Sequence, residues 1–318
     1  MVRFEILVAK GYCDHEVSGI THTLAQANTV LRQALFQTRF LSYFPGLVAS
    51  RGGQIARAEP VIDGHGFSDV MIVVGGTGLD LADWMVRVRQ MQRQARRVVL
   101  LSDAATRYIK TKKSGSGLVT THWKQADMLR ETGYFPDLTD RLAEHSGGVI
   151  TAAGSAATPE LVAGLISPYL DQVALAELAG LLLLPNLRKS DADQPRDIAG
   201  HAGLFNQRVR DVIQVMEDNI AERLDMETLA GQVGMSCRQI ERIFRDVFNQ
   251  SPGKFYKHLR TKKAWALIEQ TLLPLPEIAV ATGFGSVSTM SKSVQAAYGV
   301  TPAQSRSRKS VDLMTFKA

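Results

Sequence analysis

The sequence predicts two folded parts: an α/β domain with an open, mostly parallel sheet, followed by an all-α domain carrying two helix-turn-helix units. Three observations predict this. Val70 to Val74 (VMIVV) is a continuous apolar run that ends in Gly75-Gly76, the pattern of a central strand covered on both faces. Apolar strand-like runs then alternate with helical patterns up to residue 184. From Asp225 to Arg306 the chain reads instead as two helix-turn-helix units in tandem with a basic helix between them.

In chain order, Arg3 to Ala9 (RFEILVA) reads as a buried strand, and Ser18 to Phe36 as a helix with Ile20, Leu24, Ala27, Leu31 and Leu35 at helical spacing. Phe40 to Ala49 suggests another strand, and Gly52-Gly53 a hairpin turn before Ile55 and Ala56. Leu81 to Arg93 reads as a helix, Arg97 to Leu101 as a strand, and Val149 to Ala152 as a further short strand. Helices are expected from Thr158 to Tyr169 and from Asp171 to Leu184. The polar stretch from Arg188 to Gly203 has Pro and Gly and no apolar period, which predicts a linker. Expected domains are therefore 1–187, a linker at 188–203, a second domain at 204–310 and a tail at 311–318.

The second domain opens with an amphipathic pattern from Leu204 to Ala221. In Asp225 to Phe248, Leu229, Ala230 and Val233 mark the inner face of a short helix, and Gly234 supplies the turn. Ser236 is an N-cap with Gln239 three residues on, a capping box. Behind it Ile240, Ile243, Phe244 and Val247 form an apolar stripe, while Arg238, Arg242 and Arg245 point the other way. One packing face and one positive face are what a helix in a DNA major groove requires. Leu275 to Gly299 repeats the plan: Pro276 opens a helix with Ile278 and Ala279 inward, Gly283 breaks it, and Ser286 or Ser288 caps the next. There Met290 and Val294 face in, and Thr289 and Lys292 face out.

This last third of the chain resembles the DNA-binding domain of the AraC/XylS transcriptional regulators. The resemblance rests on LAGQVGMSCRQIERIFRDVFNQSPGKFYKHLR and EIAVATGFGSVSTMSKSVQAAYGVTPAQSR. It implies two such units joined by a long helix, acting on double-stranded operator or promoter DNA in a homodimer that can meet RNA polymerase. The two recognition helices would enter successive major grooves about 34 Å apart. The chain departs from the family in the second recognition helix, where Met290 and Val294 take aromatic positions and Lys292 stands nearly alone among basic residues. The expected DNA-contacting residues are Ser236, Arg238, Gln239, Arg242 and Arg245 in the first unit and Ser286, Ser288, Thr289 and Lys292 in the second.

Charge supports the same division. Net charge is +6 over 318 residues, but Ser236 to Ser310 alone holds 12 Lys plus Arg against 4 Asp plus Glu, a net of +8, leaving −2 for the rest. Positive charge confined to one domain is the footprint of phosphate binding. Two cysteines, Cys13 and Cys237, make no disulfide framework and fit a reducing cytoplasm. No signal peptide or membrane span is expected, no histidine or cysteine spacing suggests a metal, and no nucleotide-cofactor fingerprint appears.

Within the first domain, two strand ends carry candidate chemistry, because ligands of open α/β sheets bind beyond the carboxyl ends of strands. One is Gly75-Gly76-Thr77-Gly78; the other is VVLLSDAA, where Ser102 sits at a strand-to-helix turn like a nucleophile elbow. The layout resembles the class I glutamine-amidotransferase-like or PfpI-like fold, flavodoxin-like in architecture, that precedes AraC-type domains in the GlxA group of regulators. The matching pieces are VGG after VMIVV, VVLLSDA, TTHW (Thr120 to Trp123) and VITAAGSAATPEL. Enzymes of this fold place a cysteine where this chain has Ser102, and a glycine is common where it has Ala104. The resemblance therefore implies a degenerate enzyme fold that senses a small effector, with Glu16, Gly75, Gly76, Ser102, Asp103 and His122 as ligand contacts. The acidic residues suit a cationic or amine-bearing metabolite such as an amino acid or quaternary amine. The rivals are a hydrolase or amidase using Ser102 as nucleophile, and a regulator whose first domain only dimerises.

Overall fold

The computed structural model describes residues 1–62, 66–76, 81–111, 117–133, 135–184, 186–195 and 205–306, with backbone alone at 81–83 and 270. The chain divides into two compact units, Met1–Gln194 and Pro195–Ala318.

The first unit is built on an eight-stranded sheet: β1 (Val2–Leu7), β2 (Phe36–Ser42), β3 (Gly46–Ala49), β4 (Ile55–Pro60), β5 (Val70–Val73), β6 (Arg97–Leu101), β7 (Ala143–Ser146) and β8 (Val149–Ala152). Their order is β3-β4-β2-β1-β5-β6-β8-β7. The six inner strands are parallel, and the antiparallel pairs β3/β4 and β7/β8 close the two edges. Chain order reverses between β1 and β5, so the crevice predicted for such sheets opens at their carboxyl ends.

Period-two alternation decides what each face of β1 meets. Phe4 and Ile6 join the core beneath α1 (Asp14–Leu31), α5 (Thr158–Ile166) and α6 (Gln172–Leu181). Leu7 joins the opposite core beneath α2 (Leu81–Arg93) and α3 (Ser102–Thr111), with Trp84, Val88, Met91 and Tyr108. Glu5 points to that second face too. Fully buried, it takes Arg87 through Nε at 2.7 Å and Nη2 at 2.9 Å, and Arg39 at 3.1 Å.

Several predicted boundaries move for local reasons. The first helix starts at Asp14 and stops at Leu31, where Arg32 adopts a left-handed conformation. The Asn28 side chain then clamps both backbone groups of Phe36 (2.8 and 2.9 Å), so Leu35 and Phe36 leave the helix. The expected strand Phe40–Ala49 is two strands broken around Pro45, with β2 parallel to β1 and β3 hairpinned to β4. The helix expected to reach Tyr169 ends at Ile166 and tightens into a 3₁₀ turn at Ser167–Tyr169, while Asp171 caps α6. β7 and α4 (Trp123–Thr132) carry no clear apolar period and emerge only in the structure.

The expected linker is partly folded onto the first unit. Arg188 pairs with Glu160 at 2.7 Å, the Leu142 and Ala143 N–H groups donate to the Ala192 and Ser190 carbonyls, and Gln194 is buried. A polar strap needs no apolar period when ion pairs and hydrogen bonds hold it. The remainder of that linker and the expected tail lie outside the described residues, as do Thr77 and Gly78.

The second unit has α7 (Gln207–Asp218), α8 (Met226–Gln232), α9 (Cys237–Phe248), α10 (Pro252–Gln270), α11 (Leu275–Ala281) and α12 (Val287–Tyr298). It buries two separate cores. Val209, Val212, Ile213, Met216, Leu229, Ile240 and Phe244 pack with Phe255, Tyr256 and Leu259 of α10. Ala264, Leu267 and Ile268 of the same helix pack with Ile278, Ala279, Phe284, Met290 and Val294.

Candidate functional site

Each helix-turn-helix unit presents one capped helix outward. In the first, Asp225 caps α8, Gly234 turns with φ +63°, and Ser236 caps α9 through a complete capping box with Gln239. Ile240 and Phe244 are fully buried, while Ser236, Arg238, Gln239, Arg242 and Arg245 are exposed. The sequence places Val247 on the inner stripe; it is 45% exposed, because the buried sector centres on Ile240, Phe244 and Phe248 instead. Three arginines at i, i+4 and i+7 thus share one solvent face.

In the second unit Ser286, not Ser288, is the N-cap of α12, accepting from the Thr289 N–H at 3.2 Å. Met290 and Val294 are fully buried, and Ser288, Thr289 and Lys292 are exposed. Lys292 is the sole charged side chain of α12, so this outward face is nearly neutral.

In the first unit, β6 delivers Ser102 to the crevice in a left-handed backbone conformation (φ +36°), a strained elbow for a residue with a side chain. Its hydroxyl donates to Glu16 Oε1. The Glu16 carboxyl, itself fully buried, also accepts the Ser155 N–H at 3.0 Å and the Gly75 N–H at 2.8 Å. Burial pushes that carboxyl above its ordinary value, against the three hydrogen bonds that pull it down. A Cβ at Gly75 would stand 2.5 Å from Ser102 Oγ, and one at Gly154 would collide with Glu16, so this packing admits only glycine at both positions.

The match to known proteins follows the same division. Residues 229–308 match the family described as a helix-turn-helix domain. The chain is 27% identical over 312 residues to the HTH-type transcriptional regulator GlxA of Rhizobium meliloti, covering 96% of each chain. It is 27% identical over 275 residues to the HTH-type transcriptional regulator CdhR of Pseudomonas aeruginosa, covering 86% of this chain and 82% of that one. This is a transcriptional regulator with an AraC-type DNA-binding domain. Among solved structures, an AraC family transcriptional regulator from Pseudomonas putida aligns with 57% of the regulator and all of its own chain, at 18% identity and TM-score 0.49.

Of the residues expected to contact an effector, the regulator brings Glu16, Gly75 and Ser102 into one hydrogen-bonded cluster. Both oxygens of Glu16 accept hydrogen bonds inside the protein, which makes it a support of the elbow. Gly76 serves the backbone: a Cβ there would stand 2.6 Å from the Gly11 carbonyl, where Tyr12 bridges to it. Asp103 accepts from Gln125 Nε2 at 2.9 Å. His122 is the N-cap of α4, its Nδ1 accepting the Lys124 N–H at 3.3 Å. Burial, and then the charge of Lys124, hold this imidazole below its ordinary value, with Asp103 pulling the other way.

Sequence reasoning missed Thr121, which donates to the Ser102 carbonyl at 2.8 Å, and Gln194, which secures Thr121 in turn. It also missed Arg260, buried in α10 and donating to the Gly283 carbonyl at 2.7 Å. A charged residue at a buried helical spacing was the available signal for Arg260; nothing local marks Gln194. Among the described residues, no group of three or more His, Cys, Asp and Glu is placed to hold a metal ion, and no helix is long and apolar enough to cross a membrane.

Proposed function

We propose that this regulator works in the cytoplasm as a homodimer, reads operator DNA through α9 and α12, and adjusts transcription when its first unit binds a small amine-bearing metabolite. The observation that carries the DNA reading is the exposed Arg238, Arg242 and Arg245 face on a helix fixed by a capping box and a buried back. The effector would lie in the crevice beside Ser102, Asp103 and His122, with RNA polymerase as a downstream partner.

A hydrolase reading is less well supported. Serine attack by the triad route needs a histidine base in contact with the hydroxyl. Here the Ser102 hydroxyl is bonded to a buried carboxyl, and the one His nearby in sequence, His122, spends Nδ1 on a helix cap. The regulator is therefore expected to turn over no amide or ester.

The test is a thermal-shift screen of the full chain with amino acids, polyamines, betaines and carnitine. A ligand at a hundred times its dissociation constant stabilises the folded state by about 2.7 kcal/mol. A specific stabiliser from this panel supports the sensing role. No stabilisation by any member would move the first unit to a purely dimerising role.

A further inference from the structure

The first unit ends on a buried glutamine whose amide is fully engaged. Gln194 is 7% exposed. Its Oε1 accepts the Trp123 N–H at 2.8 Å, and its Nε2 donates to the Thr121 carbonyl at 2.7 Å, the Arg141 carbonyl at 2.9 Å and Thr120 Oγ1 at 3.2 Å. Its own N–H donates to the Asp140 carbonyl at 2.9 Å. The next residue, Pro195, begins the second unit.

The segment that receives Gln194 is the one that backs the elbow. Thr121, buried, donates its hydroxyl to the Ser102 carbonyl at 2.8 Å and meets Thr106 Oγ1 at 2.7 Å. His122 follows Thr121, and Trp123, whose N–H Gln194 holds, lies against the His122 ring with centroids 5.6 Å apart. Residues 120–123 therefore touch the elbow on one side and the end of the first unit on the other. A carbonyl of Thr121 that shifts must drag or release the Gln194 amide, because a buried donor left without a partner is costly.

We infer that Gln194 is the positioning residue through which an occupant of the elbow crevice acts on the connection to the DNA-binding unit. The inference rests on the sensing role proposed above and names its outlet. The two states are Gln194 seated on residues 120–123 and Gln194 released, with the strap 188–194 loosened. An effector that fits one state better shifts the balance by its difference in affinity and by no more. The rest of the strap, from the Arg188–Glu160 pair to the Ala192 carbonyl, gives Gln194 a hinge to pull against.

The test uses the full chain with two variants, Gln194→Ala and the near-isosteric Gln194→Glu, which keeps the shape but loses the donors. Trypsin cleavage after Arg188 and Lys189 measures the strap, and affinity for a duplex selected from a random pool by the wild-type chain measures the outlet. Without any added compound, both variants should cleave about tenfold faster at those two sites, as local opening requires. Both should also differ from wild type in duplex affinity by at least about threefold, a readout that a residue merely filling the first unit would leave unmoved. Unchanged cleavage or unchanged duplex affinity in both variants overturns the inference. Any panel compound that stabilises the wild type should still stabilise Gln194→Glu but no longer alter its duplex affinity; a full response there also overturns it. If no compound stabilises the wild type, the sensing role fails, while faster cleavage with altered duplex affinity still supports Gln194 as the anchor.

Discussion

Arg260 Nη1 donates to the carbonyl of Gly283 at 2.7 Å, tying the helix shared by both helix-turn-helix units to the turn of the second. Its guanidinium also lies 5.0 Å from the Phe284 ring centre and 5.8 Å from that of Tyr256. Gly283 has φ +66°, and a Cβ there would stand 2.5 Å from the Ile220 carbonyl, just after α7.

Arg260→Ala should therefore remove a charge-assisted bond to a part-buried carbonyl and cost roughly 1–3 kcal/mol. Gly283→Ala adds a clash to an unfavourable φ and should cost at least as much. Chemical denaturation of both variants checks the stability. Wild-type stability in Arg260→Ala would show that the tie contributes nothing.

On the DNA face, the two recognition helices should separate by salt dependence. Removing a cation that neutralises one phosphate of duplex DNA makes the slope of log affinity against log salt shallower by about 0.9. Arg238→Ala, Arg242→Ala and Arg245→Ala should each flatten that slope or, where the side chain reads a base, cost roughly 1–3 kcal/mol of discrimination. Lys292→Ala is the one substitution of a charged residue in α12 and should flatten the slope by no more than one phosphate's worth. Binding titrations at several salt concentrations decide this, and unchanged affinity and slope in all three arginine variants would refute α9 as the reading helix.

Glu5 offers a test of the first unit's interior. Burial raises its carboxyl, but the hydrogen bonds and charges of Arg87 and Arg39 outweigh that and hold it below the ordinary 4.5. Its contribution is thus present above about pH 4.5 and is lost as pH falls through the lowered value. Glu5→Ala would take from Arg87, which is 1% exposed, its carboxylate partner and should destabilise by about 3–5 kcal/mol. Glu5→Met with Arg87→Met should recover most of that loss in urea melts.

Two groups near the elbow give opposite pH signatures. Glu16 is raised above 4.5, so its contribution is full below that value and is lost as pH rises through the raised one. His122 is lowered from 6.5, so its contribution is present above that value and is lost as pH falls through the lowered one. Melting temperature against pH should lose its decline above 4.5 in Glu16→Gln. The decline below 6.5 should vanish in His122→Asn, which retains a capping side chain. Profiles identical to wild type would show that neither group is linked to folding.

The second unit was legible almost to the residue, because its signals are local: Ser236 with Gln239, Gly234, Gly283 and the inward Met290 and Val294 lie within one or two turns of what they fix. Among the parallel strands, β1, β5, β6 and β8 were equally legible from their apolar runs, whereas β2 and β4 were not. The elbow was half legible. A strand ending in Ser102 announced the turn, but the bond to Glu16 spans 86 residues and the Thr121–Gln194 bond 73, and no pattern in the chain announces either. The strap from Arg188 to Gln194 reads as a linker for the same reason: its partners, Glu160 and residues 140–143, are remote in sequence.

The two cores of the DNA-binding unit are threaded on one axle. Phe255, Tyr256 and Leu259 serve the first, Ala264, Leu267 and Ile268 the second, and no residue belongs to both. An α-helix turns about 100° and advances about 1.5 Å per residue. One residue inserted between Leu259 and Ala264 would keep each core's own residues together, break the Arg260–Gly283 tie, and wrench α12 roughly a quarter-turn around α9. If both helices read the operator as proposed, the phase between its halves is written in the residue count of a single helix.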